Sequence, residues 1–306
     1  MKAVRIQRFG GPEQVVLEDV PVPVAGAGEI LVHVRAAGVA PWDALIREGK
    51  SKVSPQPPLT LGSDLAGVVE AVGANVAGVS VGDEVYGVTN PQFCGAQAEY
   101  AVAQAGMIAP KPKGLDFLHA ASAPVIAVAA WQMLFEYAQV KRGEAVMILG
   151  AAGNVGAYAS QMALDAGLSV VAVARARDAQ LLHSIGVESI VNSDAPNYER
   201  ELPPVDAILD TVGAGTLKRC VGALKTGGRV VSLVSSEAPP QRSDVQVLFF
   251  YAEVTTSRLE ILNGLFENGT ISARVGSVLP LAEAREAHLM LAGAPHKPGK
   301  IVLELS

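Results

Sequence analysis

The period of apolar and polar positions along this chain changes near residue 118. Before that point the apolar runs are short and strand-like: Met1 to Ile6, Val15 to Val24, Glu29 to Ala36, Leu65 to Val72, Asp83 to Val88 and Ala98 to Val102. Proline and glycine punctuate them, with Pro21, Pro23, Gly26 and Gly28 ahead of the third run and Gly73, Gly78, Gly82 and Gly87 further on. Turn residues at such short intervals mark an all-β segment. Residues 1–118 therefore read as a compact, mostly antiparallel β domain.

Beyond it, helical and strand periods alternate. Ala127 to Val140 carries Trp131, Leu134, Phe135 and Ala138 at helical spacing and closes on Lys141-Arg142-Gly143, cations at the negative helix end. Val146 to Leu149 is strand-like. A helix follows from Val155, with Ala159, Met162, Ala163 and Ala166 on its stripe, and ends at Gly167. Val170 to Ala174 is a second strand. Gln180 to Ile185, Ser189 to Val191, Asp206 to Asp210, Gly215 to Leu224 and Arg229 to Val234 continue as helix, strand, strand, helix and strand. This alternation predicts an α/β fold in which a doubly wound parallel sheet, a Rossmann domain over about 119–255, has helices on both faces. Helices at Thr256 to Phe266 and Ala282 to Leu291 and a strand at Ile301 to Leu305 follow. That last stretch, about 256–306, is expected to return to and complete the N-terminal domain.

The turn between the first strand and helix of the second domain, Gly150-Ala151-Ala152-Gly153-Asn154-Val155-Gly156, carries the first candidate chemistry. Without a Cβ, Gly153 lets the backbone approach a pyrophosphate, and Gly156 lets helix and strand pack closely. The helix start offers unpaired N–H groups and a positive dipole end, so an anion is favoured there. A glycine motif alone is weak. Here a strand precedes it, a helix follows it, and a second strand comes next, as dinucleotide binding requires. Ala152, Gly153, Asn154 and Val155 are thus candidate cofactor contacts. The second strand runs into Ala174-Arg175-Ala176-Arg177, where an NAD site places an acidic residue for the ribose 2′-hydroxyl. Guanidinium groups pair with a 2′-phosphate instead, so Arg175 and Arg177 point to NADPH over NADH.

Composition narrows the setting. The chain has 306 residues, half of them apolar, and a formal net charge of −6, which suggests two globular domains and disfavours nucleic acid as a partner. Cys94 and Cys220 are the two cysteines; they form neither a disulfide framework nor a zinc pattern, and a reducing cytosol fits. The start, MKAVRIQRFG, lacks the apolar core of a signal peptide. The most apolar stretch, Ala120 to Phe135, is interrupted by Ser122, Pro124 and Gln132 and is too short to span a membrane. A cytoplasmic protein is expected. The five histidines (33, 119, 183, 288 and 296) share no spacing and read as structural.

Eight strings spread in order over the chain carry a family likeness: AAGVAPWD (36–43), LGSDLAGVVEAVG (61–73), VGDEVYG (81–87), GAQAEYAV (95–102), GAAGNVG (150–156), LDTVG (209–213), GGRVVSL (227–233) and GKIVLEL (299–305). In these the chain resembles the medium-chain dehydrogenase/reductase superfamily, in its zinc-free, quinone oxidoreductase-like (zeta-crystallin-like) branch. The resemblance implies a GroES-like N-terminal domain, a Rossmann domain, and a homodimer. Zinc-dependent relatives place a cysteine and a histidine-glutamate pair where this chain has Val39-Ala40-Pro41 and Gly62-Ser63-Asp64. Catalytic zinc needs three protein ligands and structural zinc four, so no metal is expected.

What remains is hydride transfer from NADPH to a quinone or an α,β-unsaturated carbonyl. The resemblance implies a nicotinamide in a cleft between the domains, bordered by Thr211-Val212-Gly213, Leu233-Val234-Ser235 and Phe249-Phe250, with backbone groups of the last two segments on its carboxamide. Pro41, Trp42 and Asp43 would form the facing wall, with Trp42 and Asp43 as candidate catalytic residues. As a turn aspartate, Asp43 also reads as a backbone hydrogen-bond partner, and so does Asp64. Tyr86 and Tyr100 read as buried. Three positions depart from the family pattern: Ala40 for an Asn, Ala129 for a Thr, and Ser193 for a Tyr near the 2′-phosphate. The first two, Ala40 and Ala129, leave no evident side-chain proton donor. A non-catalytic NADPH-binding sensor or scaffold and an enoyl-thioester reductase are the alternative readings.

Overall fold

The structure is a computed structural model and describes residues 1–53, 55–237, 242 and 244–305. Its contacts divide the chain into two units. The first comprises Met1–Val125, Val254–Gly269 and Ala273–Ser306; the second comprises Ile126–Glu253 and Thr270–Ser272.

The N-terminal part of the first unit supplies β1 (Lys2–Ile6), β2 (Val16–Asp19), β3 (Glu29–Val39), helix α1 (Pro41–Arg47), β4 (Leu59–Thr60), β5 (Asp64–Val72), β6 (Glu84–Val88), β7 (Tyr100–Gln104), β8 (Ile108–Pro110) and α2 (Phe117–Ala121). The strand expected over Val15 to Val24 stops at Asp19. Pro21 and Pro23 lack the N–H that a ladder needs. Ala98 makes only an isolated bridge to Ala3, so the strand expected to start there begins at Tyr100. α1 replaces an expected turn. It starts on Pro41 at its first position, where the missing N–H costs nothing.

The second unit starts with the end of α3 (Pro124–Trp131), which runs on as a π-helical segment over Gln132–Tyr137. Its six strands are β9 (Ala145–Leu149), β10 (Ser169–Ala174), β11 (Ser189–Asn192), β12 (Val205–Asp210), β13 (Leu224–Ser232) and β14 (Val247–Phe249). Helices α4 (Asn154–Asp165), α5 (Ala179–Ser184) and α6 (Ala214–Cys220) connect them. All pairings are parallel, in the order β11-β10-β9-β12-β13-β14. Counted within this unit the order is 3-2-1-4-5-6, that of a dinucleotide fold. β9 can be apolar without alternation because a parallel sheet is buried on both faces: Val146, Met147, Ile148 and Leu149 are all buried. Met147, Leu149, Val171, Val173, Ile208 and Val230 share one core cluster.

The chain then re-enters the first unit through α7 (Thr256–Glu267), β15 (Val275–Pro280), α8 (Ala284–Leu291) and β16 (Lys300–Glu304). β16 lies between β15 and β3 in a seven-stranded sheet ordered β15-β16-β3-β5-β6-β8, while β7 pairs with the other half of β3. A three-stranded sheet, β2-β1-β4, completes the unit. Its core joins Ile30, Val32, Val34 and Leu65 to Ile301 and Leu303. Among the described residues no helix is long and apolar enough to cross a membrane.

Candidate active site

In the second unit the predicted cofactor residues gather at the carboxyl ends of the strands. Gly150 leaves β9 with φ +77°, and a Cβ there would meet Thr211 Oγ1 and Val212 Cγ2 at 2.7 Å each. At Gly156 a Cβ would stand 2.2 Å from the Gly150 carbonyl oxygen, so the helix packs on the turn at a distance only glycine permits. Gly153 is the cap residue of α4 and, having no side chain, leaves the first-turn N–H groups without a side-chain cap. Those groups have no acceptor within the helix. Gly153 is exposed, and Ala152, Asn154 and Val155 are half-buried. This is a bare, electropositive helix start of twelve residues, and it fits the pyrophosphate of a dinucleotide.

Arg175 and Arg177 stand exposed just past β10. Neither guanidinium has a side-chain hydrogen bond or ion pair among the described residues. Asp194 accepts the N–H of Ala176 between them at 3.0 Å, which fixes the bend. Ser193 donates its backbone N–H to the Ala174 carbonyl at 2.8 Å.

The loops after β12 and β13 are tied together. Asp210 is fully buried. Its Oδ1 accepts the N–H groups of Val212 at 3.0 Å and Gly213 at 2.9 Å, and its Oδ2 accepts the Ser232 hydroxyl at 2.9 Å. Ser232 Oγ accepts the N–H groups of Val234 at 3.0 Å and Ser235 at 3.2 Å, and Leu233 N–H donates to the Asp210 carbonyl at 3.1 Å. The backbone N–H groups of Leu233, Val234 and Ser235 are all engaged inside the loop, so of the backbone groups expected to meet a carboxamide its carbonyls remain. Phe249 ends β14, edge-on to Tyr251. Phe250 is turned inward and stacks on Tyr137 with centroids 4.1 Å apart. The sequence reading gave Asp210 and Ser232 no role. An aspartate followed by Thr-Val-Gly is a turn signature, but a serine closing an apolar strand carries no signal.

In the first unit, Pro41 is exposed and Trp42 half-buried. Trp42 donates its indole N–H to Ser63 Oγ at 3.0 Å, and Lys300 Nζ lies 4.4 Å from its ring centroid. Asp43, expected on the substrate-facing wall, is 0% exposed, and its Oδ2 accepts the Ala40 N–H at 2.8 Å, capping α1 from the third helical position. Burial pushes its carboxyl up to about 7, against the Ala40 bond and the Lys300 charge. Asp64 Oδ1 accepts the Val125 N–H, and Asp64 Oδ2 pairs with Lys300 Nζ at 2.7 Å, both side chains 1% exposed. Tyr86 is buried, its hydroxyl donating to Asn263 Oδ1 at 2.8 Å and lying 3.0 Å from the Leu259 carbonyl. Tyr100 stacks on His33. His288 is buried beside Arg47, and desolvation, then the guanidinium, lower it to about 3.

A glycine turn on a helix start, at the head of a six-stranded parallel sheet in this order, defines a dinucleotide-binding fold. Residues 26–113 match the family model of the alcohol dehydrogenase GroES-like domain, and residues 185–303 match that of the zinc-binding dehydrogenase. Human quinone oxidoreductase is 32% identical over all of this chain and 98% of its own. A chloroplastic NADPH-dependent alkenal/one oxidoreductase of Arabidopsis thaliana is 30% identical over 99% of this chain and 79% of its own. The solved quinone oxidoreductase of Coxiella burnetii superposes with a TM-score of 0.91 at 30% identity, covering 100% of this chain and 99% of that one. The chain belongs to the medium-chain dehydrogenase/reductase superfamily, in the branch of the quinone oxidoreductases. Membership makes it an oxidoreductase and implies a nicotinamide cofactor, which the glycine turn fits. It does not fit a zinc ion. Asp64 is taken by Lys300 and Ser63 by Trp42, and no group of three His, Cys, Asp or Glu suited to a metal occurs among the described residues.

Proposed function

We propose that this protein is an NADPH-dependent reductase of quinones or α,β-unsaturated carbonyls that works without zinc. Arg175 and Arg177 carry the reading. Both are exposed, neither is spent on a protein carboxylate, and they stand at the strand end where an NAD-preferring fold keeps an acid. The α4 start would hold the pyrophosphate, and the two arginines the 2′-phosphate. The loops at Thr211-Val212-Gly213 and Leu233-Val234-Ser235 would hold the nicotinamide end, where the bound cofactor supplies a hydride. Relatives that reduce quinones and alkenals under their own names support acceptors that need no metal to polarise them. Pro41 and Trp42 are the proposed acceptor contacts. With Ala at 40 and 129, protonation of the reduced acceptor falls to solvent.

The test is NADPH oxidation followed by absorbance, with NADH in parallel, against a small panel of quinones and enones. Turnover is expected with NADPH well ahead of NADH, and Arg175→Glu should abolish the preference. Equal use of both cofactors by the unaltered protein would overturn the arginine assignment. Tight NADPH binding with no turnover on any acceptor would favour the sensor or thioester readings.

A further inference from the structure

Within the Asp210–Ser232 network, Ser232 works at full hydrogen-bond capacity. A serine hydroxyl has one donor and two acceptor sites. At Ser232 the donor goes to Asp210 Oδ2 and the acceptors to Val234 and Ser235 N–H. Asp210 divides its carboxylate between two loops, one oxygen for Val212 and Gly213 and the other for Ser232. Next to it, Thr211 Oγ1 donates to the Leu149 carbonyl at 2.8 Å, which ties the same point to the end of β9. Asp210 and Ser232 are both 0% exposed, so water does not replace a missing partner there.

The placement of this network selects what it serves. β9 and β12 flank the point where the strand order reverses, and a dinucleotide lies across such a point with one half on each side. The glycine turn and the two arginines lie on the β9–β10 side. The buried Asp210–Ser232 pair lies on the β12–β13 side. We propose that Asp210 and Ser232 are positioning residues for the nicotinamide half of the cofactor: neither touches it, and together they fix the two loops that do. The inference rests on the nicotinamide reading of those loops.

The proposal predicts a split between the two halves of the cofactor. Ser232→Ala removes one oxygen and leaves a buried carboxylate oxygen and two N–H groups unpartnered. Asp210→Asn retains an acceptor for Val212 and Gly213 but faces Ser232 with a donor. Calorimetric titration of each variant would use NADPH and its adenosine-side fragment 2′,5′-ADP, with NADH and ADP-ribose in parallel. Dinucleotide binding should weaken about tenfold or more, as for one hydrogen-bonded group left unpaired, while fragment binding stays within about twofold. Ser232→Thr, which keeps the hydroxyl, should restore the dinucleotide. Equal weakening of dinucleotide and fragment, no change in either, or failure of both variants to fold would each overturn the proposal and leave the network merely structural. Failure of the unaltered protein to reduce any acceptor would sink the reductase reading without touching this split.

Discussion

Asp43 shows at a single residue how one side chain can be read correctly in type and wrongly in place. A turn aspartate satisfies backbone groups, and Asp43 does so at Ala40. The family likeness also set it on a wall facing the substrate, whereas its side chain is fully buried. No sequence pattern reports how deeply one turn sinks. The depth has a measurable consequence, because burial raises its carboxyl from 3.8 to about 7. Between those values the folded protein holds a proton that the unfolded chain has released, so stability falls as pH rises through this window and levels off above it. Asp43→Asn keeps the acceptor for Ala40 and removes the titration. Urea unfolding at pH 4 and pH 8 should show the unaltered protein losing up to about 4 kcal/mol relative to the variant across that range. A constant difference would mean that the carboxyl ionises normally.

Among elements, the Lys300–Asp64 pair joins β16 to β5 across β3, and through the Val125 N–H it reaches the start of α3. Removing one member strands a buried charge, which costs about 3–5 kcal/mol. Lys300→Met should therefore be strongly destabilising, and Asp64→Asn on top of it should recover much of the loss in a double-mutant cycle. Additive losses would show that the two charges do not support each other. Strands and helices with a clean period were legible beforehand, including β9 to β12, the second half of β13 and the turn into α4. Elements set by tertiary pairing were not. β8 is only three residues long, β15 shows no clean alternation of its own, and the π-helical segment over Gln132–Tyr137 reads as ordinary helix. There, Gln132 Oε1 accepts the N–H of Glu253 at 3.0 Å, a distant partner that periodicity does not reveal. In the candidate site, the glycines and arginines were visible because their chemistry is local. The Asp210 network was not, since it is assembled from two strands.

At the level of the whole chain, one unit is inserted into the other: the first unit runs to Val125, stops, and resumes at Val254. Its central sheet depends on the return, since β16 fills the place between β15 and β3. Deleting residues 299–306 should leave the N-terminal unit unfolded and open to protease while the second unit stays protected. Uniform protection in limited proteolysis would show that β16 is dispensable. The same arrangement sets an order of events on the ribosome. Translation releases β3 early, yet the strand that seals its C-terminal half emerges only after the entire inserted unit. At ~5–20 residues per second, the nascent chain carries an unsealed strand edge for some tens of seconds. The inserted unit can mature within that interval, while the first unit finishes only once β16 has emerged.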